Sequence, residues 1–446
     1  MKPFPNILFL MSDEHRFDIT GFSGNSIVHT PNLDRLAKDA VIFTNAYTPA
    51  PVCVPARQCM AVGKYPSECG VKKFEDDLPP ASQTFAAQFT RFGYRTVAAG
   101  KLHHHGTDQM QGWQVRVAGD CEISSRFAQN QNSPAFTKPS IANKWDEKKE
   151  IQRAGAGCSG YARRDQLAVE GLKNTIYEQF VDGFYDRALP DQPVLLYLGL
   201  LNPHYPYIAD ENLFNYYLNR VQPYENDQPF PHDFLRACPN TGGPLIRGKD
   251  ISERDLRRAM TAYYANIETI DRQYGEILHE LEQAGQDLDD WIIIYTSDHG
   301  EMLGEHAIWE KQKFFEGSAR VPLFIRYPKR FAPKVVDKNV NLIDLYATLC
   351  QLCGPAVPND VSSRSLIDLM DGNAEQWENE TLSEWAGNLM IKRENLKYQL
   401  YADGSEVLFD LAADPQENTN AADDPAYHDI LISLRRRAHS YLAQNK

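Results

Sequence analysis

Apolar runs of strand length alternate with stretches of helical period along most of the chain. Asn6-Ile-Leu-Phe-Leu-Met-Ser12 is one such run, and it stops at Asp13. Val194 to Leu200 is a second and ends in Asn202-Pro203-His204. Trp291 to Thr296 is a third and ends in Ser297-Asp298-His299-Gly300. Arg95 to Ala99 predicts a strand that stops at Gly100-Lys101, and Val321 to Tyr327 predicts one more. Between these runs lie helical patterns. Thr30-Pro31 predicts a helix start, with Thr as N-cap and Pro at the first helical position, and Leu33, Leu36, Ala37 and Ala40 form its apolar face. A second helix is expected over 84–92. A long one opens at the capping-box pattern Ser252-Glu-Arg-Asp255 and runs to Ala284, with Gly285 as its stop. Strands that are apolar on both faces are buried on both faces, as in parallel sheets covered by helices. The pattern therefore predicts an α/β fold with a large, mostly parallel sheet sandwiched by helices. In such sheets ligands bind beyond the C-terminal ends of the strands. Asp13, Lys101, His204 and Asp298-His299 each follow a predicted strand, which places them on one rim.

Two stretches break the alternation. Residues 120–165 are polar and irregular, and Gly155-Ala-Gly-Cys-Ser-Gly160 reads as a flexible loop inserted over the site. It lacks both a Gly-Lys-Ser/Thr motif and a preceding strand, so it is not a phosphate cradle. Residues 205–250, rich in Pro, Tyr and Asn, read as a second long surface loop. Beyond about residue 355 the pattern changes to short strands at 390–392, 398–402 and 407–411, with an Asp403-Gly404 turn and a closing amphipathic helix over 425–442. This predicts a catalytic domain over 1–355 and a smaller C-terminal α+β subdomain over 356–446.

At 446 residues, with 42% hydrophobic and 24% charged positions, the chain can bury a large core, which excludes disorder, collagen and coiled coil as readings of the whole. No apolar run approaches the roughly 20 residues a bilayer requires. Ile7 to Met11 is too short for a signal-peptide core. The expectation is a cytoplasmic enzyme with no membrane partner. The net charge of −14 argues against a nucleic-acid partner. An anionic substrate would need positive charge supplied locally, by a metal or a few Lys and Arg. The eight cysteines are dispersed and form no disulfide framework. Cys350-x-x-Cys353 lies in the apolar helical pattern Leu342 to Leu352, without a second Cys or His pair, and reads as two core thiols.

Three elements carry candidate chemistry: Asp13-Glu14, Cys53-Val54-Pro55-Ala56-Arg57 and Asp298-His299-Gly300-Glu301. Carboxylates and an imidazole on one rim suit a hard divalent cation such as Ca2+ or Mg2+. An Asp-His pair after a strand is equally an N-cap with a packed imidazole. In the second element Pro55 marks a helix start. Cys53 falls where amide N–H groups favour negative charge, and Arg57 lies one turn on. That describes a reactive thiol, or a Cys packed beneath a helix start.

Taken together, these motifs resemble the type I, formylglycine-dependent sulfatases of the alkaline phosphatase superfamily. Cys53-Val-Pro-Ala-Arg57 followed by Gly63-Lys-Tyr-Pro66 looks like their signature. The resemblance extends through Thr30-Pro-Asn-Leu-Asp34, Gly100-Lys-Leu-His103, Asn202-Pro-His-Tyr-Pro206, Ser297 to His306, Lys311, Arg320-Val-Pro322 and Leu408 to Pro415. It implies an alkaline phosphatase-like fold and one divalent metal, Ca2+ first with Mg2+ or Mn2+ as alternatives. The metal ligands it implies are Asp13, Glu14, Cys53, Asp298 and His299, with Glu14 standing where many members carry Asp. It also implies conversion of Cys53 to formylglycine by a formylglycine-generating or anaerobic sulfatase-maturating enzyme. Arg57 matches the residue that steadies this group, and Lys101, His103, His204 and Lys311 match the sulfate-binding and proton-transfer set. In the implied chemistry the hydrated aldehyde attacks sulfur, His204 gives a proton to the leaving alcohol, and His103 is the base that lets the aldehyde re-form. Ala56 and Val62 depart from the usual Ser or Thr. His104 and His105 are read as loop or substrate-wall residues, His306 as an outer neighbour and Lys313 as a surface charge.

The run Gly100 to Trp113 looks especially like choline sulfatases, although their C-terminal extension is not evident here. The implied function is hydrolysis of a sulfate ester, of a carbohydrate or small alkyl alcohol, by an enzyme in an open oligomeric state that includes a homo-oligomer. The alternatives are a phosphonate or phosphodiester monoester hydrolase on the same scaffold, or an anion-binding paralogue whose Cys53 is never converted. A two-zinc phosphatase would need a Ser or Thr nucleophile and a second ligand set, neither of which is found.

Overall fold

In a computed structural model of the protein, residues 4–120, 146–181 and 192–445 are described. In chain order the strands are β1 (Asn6–Asp13), β2 (Val41–Tyr47), β3 (Arg95–Gly100), β4 (Val115–Gly119), β5 (Gly155–Ala156), β6 (Val194–Pro203), β7 (Ile208–Ala209), β8 (Trp291–Ser297), β9 (Arg320–Val321), β10 (Leu323–Arg326), β11 (Lys334–Asn341), β12 (Glu380–Trp385), β13 (Asn388–Arg393), β14 (Leu396–Leu400) and β15 (Glu406–Asp410). The main sheet has the order β11-β2-β10-β8-β1-β6-β3-β4, with β9 added on β2. Strands β8, β1, β6, β3 and β4 run parallel, and β10 pairs antiparallel with both β8 and β2.

Period-two alternation along β1 explains the layers. Ile7, Phe9 and Met11 enter a core on one face, with Phe85 and Phe89 of helix Phe85–Phe92 and Leu345, Tyr346 and Leu349 of helix Asp344–Cys353. Leu8 and Leu10 enter the core on the other face, with Leu172 and Ile176 of helix Gly160–Phe180 and Ile270, Tyr274 and Ile277 of helix Glu253–Gln283. Cys350 and Cys353 are both fully buried in the first of these cores, as expected of core thiols. No described helix is long and apolar enough to cross a membrane.

The structure corrects several local readings. Thr30 precedes helix Pro31–Ala37, but its hydroxyl makes no cap bond. It accepts from the Gly21 amide and donates to Asp34, tying the helix to the preceding loop. Ser252 does cap the Asp255 amide. The expected strand over 321–327 is divided at Pro322 into β9 and β10, because proline cannot donate to a ladder. The Gly155–Gly160 segment is not a flexible loop: β5 pairs with β7, and Ser159 caps the Ala162 amide to open a 21-residue helix. The 121–145 part of that expected insertion lies outside the described residues. Residues 205–250 are not a surface loop either. Tyr205, Tyr207, Phe214, Tyr217, Phe230 and Leu235 are buried in a third core, against helix Glu253–Gln283.

Strands β12 to β15 form an antiparallel sheet covered by helix His428–Gln444, whose Leu431, Leu434, Ala438 and Tyr441 face it. Lys397 on β14 is fully buried. Its ammonium bonds the Phe314 carbonyl at 2.8 Å, Glu417 at 2.7 Å and Glu316 at 2.6 Å. This sheet thereby grips the segment that follows Lys311.

Candidate active site

Strands β1 and β8 pair in register Ser12↔Ser297, so Asp13 and Asp298 leave adjacent strand ends side by side. Glu14 turns out of the strand with a φ of 63°, a conformation that costs a non-glycine residue energy and that neighbours must enforce. They do so at both ends of the residue. Its amide donates to Asp298 Oδ1 at 3.0 Å and its carbonyl accepts from the Tyr263 hydroxyl at 2.5 Å. His299 donates from Nδ1 to the Gly300 carbonyl at 3.0 Å, which fixes the tautomer and leaves the Nε2 lone pair facing the two aspartates.

The donor set fits a divalent ion. Ligand atoms of Cys53, Asp298 and His299 lie within 4.8 Å of one another, and so do those of Asp13, Glu14 and His204. Asp13 Oδ1, Glu14 Oε1 and His299 Nε2 are three buried acceptors without a hydrogen-bond partner among the described residues. Orphaned acceptors in a dry site are costly, and a hard cation at about 2.3–2.6 Å from each would satisfy them. His204 falls on this side of the site. Its Nδ1 donates to the Tyr205 carbonyl at 2.6 Å, and its Nε2 accepts from Lys311 at 2.6 Å. The proton expected on His204 is therefore shared with Lys311.

Arg57 sits beneath the carboxylates. All five of its N–H groups are engaged: Nε to Asp298 Oδ2 at 2.7 Å, Nη1 to the Lys101 carbonyl and the Tyr197 hydroxyl, and Nη2 to the Ser12 carbonyl and Asp13 Oδ2 at 3.2 Å. The residue expected to steady Cys53 thus steadies the carboxylates beside it. Burial alone would raise the Asp13 carboxyl, but Lys101, His204, Arg57 and His299 outweigh it and hold it well below the usual range. Burial pushes the Glu14 carboxyl well above its ordinary value, with Lys311 opposing at 2.8 Å. Burial also pushes the Cys53 thiol up, against the pull of Lys101. Of the two readings open from the sequence, burial favours a Cys packed at a helix start: at the first residue of helix Cys53–Val62 it is 2% exposed.

A cavity of about 410 Å³ opens onto this cluster. Cys53, Lys101, His103, His204 and Lys311 line its inner end. His103 has a φ of 58° and donates its amide to Asp120 at 2.5 Å, and its ring packs against Phe74. Burial and the charges of Lys101 and Arg57 depress its pKa well below the ordinary value. The structure thus joins Asp13, Glu14, Cys53, Arg57, Lys101, His204, Asp298, His299 and Lys311 around one point, with His103 on the adjacent wall. His105 also stands against Phe74, whereas His104 is buried. His306 lies elsewhere, stacked on Phe315 with Nε2 on the Gln416 carbonyl.

The sequence reading missed the outer wall, formed by Phe74, Tyr161, Arg164 and Gln312. The signal for two of these was present. Ser159 followed by Asp165, Ala168, Val169, Leu172 and Ile176 is a capped helical period, and it places Tyr161 in the first turn and Arg164 just beyond it.

Lys313 is not a surface charge. It is 4% exposed with its ammonium 4.2 Å from the Phe234 ring centroid, and burial lowers its pKa to about 8. Between pH 8 and 10.5 the unfolded chain holds a proton that the folded chain has released, so stability rises with pH across that window and the penalty is full below it. Lys313→Met is expected to raise stability at pH 7 by about 2–3 kcal/mol. Denaturant unfolding should show the gain shrinking by pH 9.5, and an equal gain at both pH values would mean that the charge is not its source.

Comparison with known proteins follows the same lines. The Sulfatase family profile matches residues 5–355, and a profile described as N-sulphoglucosamine sulphohydrolase, C-terminal, matches residues 304–444. An arylsulfatase of Clostridium perfringens is 29% identical over 97% of this chain and 93% of its own length. A choline-sulfatase of Rhizobium meliloti is 31% identical over 94% of this chain and 83% of its own. Among solved structures, the phosphonate monoester hydrolase of Agrobacterium radiobacter superposes with a TM-score of 0.78 at 23% identity, covering 99% of this chain and 96% of that one.

Proposed function

Because this chain belongs to the sulfatase family, whose members are sulfuric ester hydrolases, we propose that it cleaves the sulfate ester of a saccharide or small alkyl alcohol, using Cys53 as formylglycine and one divalent cation. The observation that carries this reading is that three buried acceptors without a partner among the described residues lie beside the two buried lysines and Cys53 that line one cavity. Asp13, Glu14, Asp298, His299 and the converted residue at position 53 are the ligands proposed for the ion, Ca2+ first, which would add positive charge beside the sulfate oxygens. Formylglycine at position 53 supplies, as its hydrate, an oxygen nucleophile and a second hydroxyl through which sulfate can be expelled. A maturating enzyme of the formylglycine-generating or anaerobic type is the proposed partner for that conversion.

The chain's own residues do the rest. The ammonium groups of Lys101 and Lys311 form a positive inner wall that binds the sulfate oxygens and orients the ester against position 53. Arg57 holds Asp13 and Asp298 in place, and with Lys101 it helps keep Asp13 ionised. The proton shared by Lys311 Nζ and His204 Nε2 is placed to pass to the leaving alcohol oxygen. His103, neutral on the adjacent wall, is the group proposed to take the proton from the second hydroxyl.

Asp298→Asn is expected to lower bound ion per chain severalfold, measured by elemental analysis after dialysis. Unchanged metal content would remove Asp298 from the ligand set. The deciding experiment pairs the mass of the Cys53 peptide, from protein co-produced with a maturating enzyme, with kinetics on sulfate esters and phosphonate monoesters. A mass matching formylglycine together with preferred turnover of sulfate esters is expected. A large preference for phosphonates would overturn the assignment.

A further inference from the structure

We propose that the substrate alcohol carries a second anionic group, a carboxylate or another sulfate, received by Arg164 at the outer wall of the cavity. This rests on the sulfate-ester reading above and adds the chemistry of the part that is not hydrolysed. A volume of about 410 Å³ is far more than a sulfate group fills and lies within the range of about 300–1,000 Å³ that small-molecule sites occupy. The site therefore receives a good part of the alcohol as well.

The charges on that wall are unequal in availability. Arg164 is exposed, lines the cavity, and has no ion pair, hydrogen bond or ring contact among the described residues. The carboxylates that line the same cavity are all engaged. Asp120 pairs with Arg116 at 2.7 Å and accepts from the amides of Leu102 and His103. Asp165 accepts from the amides of Leu201 and Asn202 and from the Asn202 side chain at 2.7 Å. Glu310 is buried and bonds Tyr205. Among the described residues, then, the wall offers an available cation and no available anion. Arg164 stands on helix Gly160–Phe180, one turn in from the Ser159 cap, so a rigid element holds it at the wall. A guanidinium presents a planar fork that matches a carboxylate or sulfate with two parallel hydrogen bonds. A quaternary ammonium such as choline would meet repulsion here.

The test uses full-length protein shown by mass to carry formylglycine at position 53. Four esters are compared: a monosulfated neutral hexose, the same hexose with a second sulfate, a monosulfated hexuronate, and choline O-sulfate. The wild type is expected to favour one or both doubly anionic sugars over the neutral sugar by about tenfold in kcat/KM, and which of the two wins identifies the second group. Arg164→Ala should bring that ratio close to one through KM, and Arg164→Lys should restore part of it. Arg164→Glu should move the preference toward choline O-sulfate, a gain that misfolding cannot produce. Equal use of all four esters by the wild type, or a ratio that survives Arg164→Ala, overturns this inference alone. No turnover of any of the four overturns the sulfate-ester reading and this inference with it.

Discussion

Cys53→Ala is expected to reduce kcat by at least about 10⁴-fold while leaving the fold intact. The remaining groups bind and polarise the ester, but none can replace a nucleophile that forms a covalent intermediate. Cys53 is 2% exposed and neutral, so its removal deletes one buried sulfur and no charge. Near-ultraviolet circular dichroism should therefore match the unsubstituted protein. Cys53→Ser is the sharper companion. A serine oxygen that attacks sulfur is left as a plain sulfate ester, with no second hydroxyl to drive its release. One equivalent of alcohol per chain, followed by arrest, is the expected result. Steady turnover by either variant would remove position 53 from the chemistry.

The second large effect concerns stability. Arg57→Ala is expected to destabilise the fold by about 3–5 kcal/mol, because it strips a buried partner from two carboxylates that are themselves fully buried. Three further acceptors, the carbonyls of Ser12 and Lys101 and the Tyr197 hydroxyl, lose donors at the same time. Arg57→Lys should recover only part of the loss, since an ammonium has three donors on one nitrogen and cannot span five acceptors on several sides. Urea unfolding at a fixed free-ion concentration measures this directly. A change under 0.5 kcal/mol in the Ala variant would show that the bound ion, not Arg57, compensates the aspartates.

The parts of this protein legible in its sequence share one physical property. Ile7 to Met11, Leu195 to Leu198 and Ile292 to Tyr295 are apolar on both sides because helices cover both faces of the sheet, and the chemistry sits where those runs end. Asp13, Lys101, His204 and Asp298 were found in that way. Elements under weaker constraint were harder to see. β11 lies at the sheet edge and mixes exposed, partly buried and buried positions over Lys334 to Lys338, with buried asparagines beyond, so no continuous apolar run marks it. The aromatic residues between 205 and 250 resembled loop composition because their burial depends on helix Glu253–Gln283, an element separate in sequence. The partners of Arg57 and His204 also escaped the sequence. Residue identity shows a cation and an imidazole, whereas their partners are fixed only when strands far apart in the chain lie side by side.

That last property has a consequence in time. The Glu14 amide and the Asp298 carboxylate it holds are 284 residues apart, and β1 lies between β6 and β8 in the finished sheet. Synthesis at about 5–20 residues per second reaches β8 roughly 15–60 s after it begins. Throughout that interval β1 is an apolar strand with an open edge, a template for pairing with other chains, so the nascent protein depends on being shielded. Cys53 leaves the ribosome early in the same interval and ends almost wholly enclosed. If Cys53 is converted as proposed, the catalyst that must grip this thiol would meet it most readily on the growing chain, and the rate of elongation would then set how many finished molecules carry the converted residue.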